Sequence, residues 1–74
     1  MENRYVTYFE AECSLPGGLH FLAFSGCQDK NTYAIRLHML IDSYGSKNVS
    51  LLYREWSDGT IEDGIIEKED WNIG

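Results

Sequence analysis

Two thiols and two imidazoles, Cys13, His20, Cys27 and His38, are the side chains in this 74-residue sequence best suited to chemistry. Zinc is held by ligands of these types, and a thiolate beside an imidazole is the pairing that makes a cysteine nucleophilic. The stretches around Cys13 and His20 read as two strands joined by Leu15-Pro16-Gly17-Gly18, with Pro and Gly where a type II turn wants them. A turn centred on Pro16-Gly17 sets Cys13 opposite His20. Against a structural zinc site stands the spacing, which contains neither a C-x2-C nor an H-x3-H pair. Against a nucleophile stands the lack of a third orienting group or an oxyanion pocket. Core cysteines and partly exposed histidines are the competing reading, so no catalytic residue, metal or cofactor is expected.

Residues 58–69, DGTIEDGIIEKE, superficially resemble a calcium loop, with oxygen ligands at alternate positions, an apolar eighth residue and Glu69 twelfth. The sixth position is Asp63 where that loop needs glycine, and no helices flank it. A solvated acidic hairpin is the simpler reading.

Charge placement carries more information. The formal net charge is −6, yet residues 1–54 balance five acids against five bases. The excess lies in residues 55–74, where Glu55, Asp58, Glu62, Asp63, Glu67, Glu69 and Asp70 face Lys68 alone. Contacts to a nucleic-acid backbone need clustered Lys and Arg, so direct nucleic-acid binding is disfavoured and a basic protein surface is the natural complement. Trp56 and Trp71, in the same segment, fit as aromatic anchors within a charged rim or as core.

The elements that must position these groups follow from periodicity. Residues 31–44, NTYAIRLHMLIDSY, repeat their apolar positions with helical period: Tyr33, Leu37, Leu40 and Tyr44 share a narrow arc that Ala34 and Ile41 widen. Asp29 or Asn31 can cap this helix, and Gly45 can end it. Ile35 and Met39 lie away from that stripe, one turn apart, and suggest contact with another molecule. Residues 5–13, 19–26, 48–56 and 61–66 read as strands, the last pair joined around Asp58-Gly59.

The turn centred on Pro16-Gly17 would collect Phe9, Ala11, Cys13, His20, Leu22 and Phe24 on one face of the first hairpin. Leu19, Phe21 and Ala23 would then join Tyr8, Glu10 and Glu12 on the other. In the second hairpin, a three-residue loop bulged at Gly59 sets Arg54 against Glu62 and avoids a Glu55–Glu62 clash. It gathers Val49, Leu51, Tyr53, Ile61 and Ile65 on one face. The expected fold is α+β: a single domain over 1–74 in the order β-β-α-β-β, an antiparallel sheet of two hairpins with the helix across one face, and an acidic hairpin and tail at 55–74.

No apolar run approaches membrane-spanning length, and no basic start precedes a hydrophobic stretch, so a cytoplasmic protein is expected. Reduced cysteines follow, and Asn48-Val49-Ser50 becomes a chance glycosylation match. In size and charge alone the chain resembles the small inhibitors made by phages and mobile elements, such as anti-CRISPR and anti-restriction proteins. That resemblance implies a non-catalytic protein-binding module that blocks a basic surface of a nucleic-acid-processing complex. The expected contact residues are Glu55, Asp58, Glu62, Asp63, Glu67, Glu69, Asp70, Trp56, Trp71, Ile35 and Met39. The alternative is a homo-oligomeric accessory subunit, a homodimer in its simplest form, paired through Leu19, Phe21 and Ala23 or through Ile35 and Met39.

Overall fold

A computed structural model describes residues 3–66 of the protein. Its elements are β1 (Val6–Leu15), β2 (Leu19–Gly26), α1 (Lys30–Tyr44), a short 3-10 turn (Ser46–Asn48), β3 (Val49–Trp56) and β4 (Ile61–Ile66). The strands form one antiparallel sheet in the order β2-β1-β3-β4, and α1 packs over its two central strands. This is the α+β arrangement that the periodicity predicts.

The helix begins where a side chain can receive its first free amides. Asp29 Oδ1 accepts from the Thr32 amide at 2.8 Å and from the Thr32 hydroxyl at 2.9 Å, and these bonds hold the Asp29 carboxyl below its usual range. The helix ends at Gly45, whose amide donates to the Ile41 carbonyl at 2.7 Å with φ at 88°. Tyr33 and Leu37 are buried, with Leu40, Ile41 and Tyr44 packed partly around them, so the expected stripe faces the core.

In the first hairpin the turn is as expected and the register is not. The Gly18 amide donates to the Leu15 carbonyl at 3.3 Å across Pro16-Gly17, and Gly17 has the positive φ of 91° that a type II turn requires. Gly18 then adds a second left-handed residue, φ 85°, so the loop is three residues long and Leu15 pairs with Leu19. One extra residue inverts the alternation of the whole returning strand. Phe9, Ala11 and Cys13 face the helix as anticipated, but Phe21, Ala23 and Ser25 join them, while His20, Leu22 and Phe24 turn to the other side.

The second hairpin has the expected register near its loop: Arg54 pairs with Glu62 and Glu55 with Ile61, with Gly59 at φ 90°. Its predicted face, however, is split by bulges. Relative to β1, β3 carries an extra residue, Leu52, and relative to β3, β4 carries an extra residue at Gly64-Ile65, with Gly64 at φ 92°. A third irregularity lies at Thr7, between Val6↔Trp56 and Tyr8↔Glu55. Consequently Val49 and Leu51 point to the core, Tyr53 and Ile61 point away, Ile65 is 77% exposed, and Ile66 fills the core instead.

The bulges also carry Arg54 inward until it is only 3% exposed. Its guanidinium donates to Tyr33 Oη at 3.3 Å and to Glu62 Oε2 at 2.9 Å, and it lies 5.4 Å from the Trp56 ring. Glu62 also accepts from the Trp56 indole. Phe9, Leu51, Val6 and Val49 are fully buried in the same core. Each such side chain contributes about 1.5–3 kcal/mol, against at most about 1 kcal/mol for a surface ion pair such as Arg4–Asp58 at 3.6 Å. The core therefore dominates stability.

Candidate interaction face

The cross-strand pairs assemble two sets of rows, one on each face of the sheet. Toward the helix run Ser25–Phe9–Arg54–Glu62, Ala23–Ala11–Leu51–Ile66 and Phe21–Cys13–Val49. On the open face run Gly26–Tyr8–Glu55–Ile61, Phe24–Glu10–Tyr53–Asp63 and Leu22–Glu12–Ser50. Arg54 is the sole Lys or Arg within the four strands, and it belongs to the helix side. The open face thus presents the carboxylates of Glu10, Glu12, Glu55 and Asp63 with no strand Lys or Arg among them, and with the imidazole of His20 beside Glu12 at its β2 margin.

Tyrosines hold two of these acids. Tyr8 donates to Glu10 at 2.9 Å, Tyr53 donates to Glu55, and the two rings meet edge-to-face with centroids 5.9 Å apart. The hydrogen bond to Glu55, followed by desolvation and the charges of Glu55, Asp63 and Glu10, pushes the Tyr53 hydroxyl up to about 12. Tyr8 is raised in the same way, first by its bond to Glu10. Both phenols therefore stay protonated near neutrality and hold the carboxylates in place, and their shifts report a negative potential over the face.

The expected contact residues are divided by this arrangement. Glu55 and Asp63 lie on the open face. Asp58 sits in the β3–β4 turn, accepting from the Thr60 amide at 2.9 Å and pairing with Arg4. Glu62 and Trp56 turn toward the helix side: burial opposes ionisation of Glu62, but the Trp56 and Arg54 bonds outweigh it and hold the carboxyl below its usual range. Arg4 stacks 4.2 Å over the Trp56 ring, which leaves this indole engaged within the protein. Ile35 and Met39 are exposed on α1, and Met39 borders a cleft of about 190 Å³ with Phe24, Ala23 and Arg36. Glu67, Glu69, Asp70 and Trp71 lie outside the described residues.

The sequence puts Tyr8, Glu10 and Glu12 on one face, but the pairing of β1 with β3 that sets Tyr53 and Glu55 beside them escapes it, because the bulges that align the two strands leave little trace in the sequence. The glycine at 64, inside the strand IEDGII, is the one local signal for a bulge there.

The Cys13–His20 coincidence dissolves with the register, since Cys13 pairs with Phe21 and His20 with Ser14. Cys13 and Cys27 are buried free thiols, and burial pushes both upward in pKa, so neither is an activated nucleophile. His20 Nδ1 lies 3.1 Å from Ser14 Oγ and 3.3 Å from Glu12 Oε1. Both neighbours converge on one ring nitrogen, which rules out a serine–histidine–carboxylate relay through opposite sides of the ring. His38 is exposed on α1, and among the described residues no three His, Cys, Asp or Glu side chains are placed to hold a metal. Residues 61–66 of the calcium-like run form β4, whose alternation sends Glu62 and Asp63 to opposite faces.

No helix among the described residues is long and apolar enough to cross a membrane. No protein-family model, curated protein or solved structure matches the chain.

Proposed function

We propose that the protein is a non-catalytic binding module whose open sheet face occupies a basic, nucleic-acid-binding surface of another protein and blocks it. The observation that carries this reading is the row arrangement of Glu10, Glu12, Glu55 and Asp63, with Glu10 and Glu55 held by Tyr8 and Tyr53 and no strand Lys or Arg among them. Such a face repels nucleic acid and steers toward clustered Lys and Arg, accelerating encounter most at low ionic strength. Leu22, Phe24 and Ile61 at its margins supply apolar contact. The resemblance in size and charge to anti-CRISPR and anti-restriction inhibitors points to the same class of target, in the cytoplasm of a bacterial or phage-infected cell. A homo-oligomeric accessory subunit is the second reading, and it draws on the outer edge of β2, which shares Leu22 and Phe24 with the margin of that face.

The test is affinity capture from bacterial lysate with the tagged protein and with a variant carrying Glu10→Gln, Glu55→Gln and Asp63→Asn. Wild type is expected to retain a nucleic-acid-binding protein at low salt and release it at high salt, and the variant to lose it while keeping its circular dichroism spectrum. Addition of the protein should then abolish nucleic-acid binding by the purified target. Equal capture by wild type and variant would overturn the proposal.

A further inference from the structure

The two edges of the sheet are unlike. On β4 the outer residues include Glu62 and Asp63, and the Gly64-Ile65 bulge breaks the run, which are devices that discourage another strand from adding. On β2 there is neither: LHFLAFSG contains no Lys, Arg, Asp, Glu or Pro, and its pairing with β1 is uninterrupted over eight positions. Among the described residues no element pairs with its outer side. The edge is apolar on both faces, with Phe21 turned to the helix side and Leu22 and Phe24, 55% and 69% exposed, on the open side. The cleft bordered by Phe24 and Met39 adjoins the same edge.

We infer that β2 pairs antiparallel with β2 of a second copy about a two-fold axis, joining the two four-stranded sheets into one. Such a strand leaves a row of main-chain donors and acceptors that another extended strand can take over from water, and a partner apolar on both faces, as β2 itself is, matches its side chains. An axis perpendicular to the sheet through Leu22 gives a self-complementary register: Leu22 meets Leu22, Phe21 meets Ala23, and Phe24 meets His20. Large side chains then face small or flat ones, and both helices lie on one side.

Charge, which a net of −6 sets against association in general, permits this contact in particular. The nearest carboxylates across the axis, Glu12 and its symmetry mate, are separated by three strand spacings, roughly 14 Å, and are screened over about 8 Å at physiological salt. Pairing through β4 would bring Asp63 much closer to its mate. The dimer therefore forms at β2, and it merges two acidic faces into one continuous surface.

Sedimentation velocity on the full chain, from dilute to concentrated solution, tests the inference. Wild type is expected to shift from monomer to dimer, with slowed amide hydrogen exchange across residues 19–26 in the dimer. Leu22→Lys places two cations together at the axis and should abolish the dimer with an unchanged circular dichroism spectrum, and Phe24→Lys provides the same readout should that variant misfold. Ile61→Lys, on the other edge, should leave dimerisation intact. Glu10→Gln with Asp63→Asn should also leave it intact, which separates failure of this inference from failure of the basic-target proposal. A monomer at every concentration, a dimer insensitive to both β2 variants, or a dimer lost equally in Ile61→Lys would overturn it.

Discussion

In the β1–β2 hairpin the pairing runs from Leu15↔Leu19 to Tyr8↔Gly26 without interruption, whereas β3 changes register twice against β1 and once against β4. Both hairpins begin from apolar strands and a glycine-containing turn, yet their outer strands end up in opposite conditions. The regular hairpin keeps strict alternation, so one turn residue, Gly18, decides which half of β2 is buried. The bulged hairpin resets its alternation partway, which draws Arg54 and Glu62 toward the helix and Ile65 away from it. Regular pairing produces a flat edge that another strand can join, while bulging produces a closed edge and a polar group in the core.

The sharpest way to break the contrast is Arg54→Ala. Removing the guanidinium leaves Tyr33 and Glu62 without its bonds and opens a void between α1 and β3, so a loss of about 3–5 kcal/mol is expected in urea unfolding. That is a large share of the stability of a small domain. An unchanged unfolding midpoint would mean that the inward arginine is dispensable and that the two hairpins differ only in shape.

A middle-sized effect comes from Gly64→Ala. A Cβ there meets nothing within 4 Å, so the change probes backbone strain at φ 92° alone. A loss of about 1–2 kcal/mol is expected, together with weakened protection of the β4 amides in hydrogen exchange. A neutral or stabilising result would show that the bulge does not depend on glycine.

The smallest effect is a pH dependence. Because Glu62 titrates below its ordinary value of 4.5, the folded state binds that proton less readily than the unfolded state does. Its contribution is fully present above pH 4.5 and is lost as pH falls through the lowered folded value. Urea midpoints should therefore decline on acidification in wild type and decline less in Glu62→Gln, with the remaining slope carried by Asp29 and Asp58, which are also lowered.

Much of the fold can be read from local signals that agree with one another. The 3.6-residue spacing of Tyr33, Leu37, Leu40 and Tyr44, the Asp29 cap, Pro16-Gly17 and Asp58-Gly59 suffice for the order of elements, and the like charges of Glu55 and Glu62 suffice for the second register. What escapes is anything that depends on counting residues between non-adjacent partners. Gly18 is as compatible with starting a strand as with lengthening a turn, and only packing of Phe21 against Tyr44, at 5.2 Å between ring centroids, selects the second. The bulge at Leu52 is set by β1 meeting β3 across a long sequence separation, so Leu52 itself carries no mark of it. The candidate face inherits this limit: Glu55 and Asp63 were legible as charges, but Glu10 and Glu12 join them only through that pairing.

The position of β1 between β2 and β3 governs the order in which the protein can be made. Thr7 bonds the Glu55 carbonyl across 48 positions of sequence, and the whole of one side of β1 pairs with a strand that emerges after the helix. A ribosome that has released β1, β2 and α1 has produced a hairpin and a helix that still lack Val49, Leu51 and Ile66 of the core. The strand synthesised first waits with an open flank, and high contact order of this kind slows folding and exposes sticky surface meanwhile. Completion of the sheet is thus an event of the finished chain rather than of the growing one.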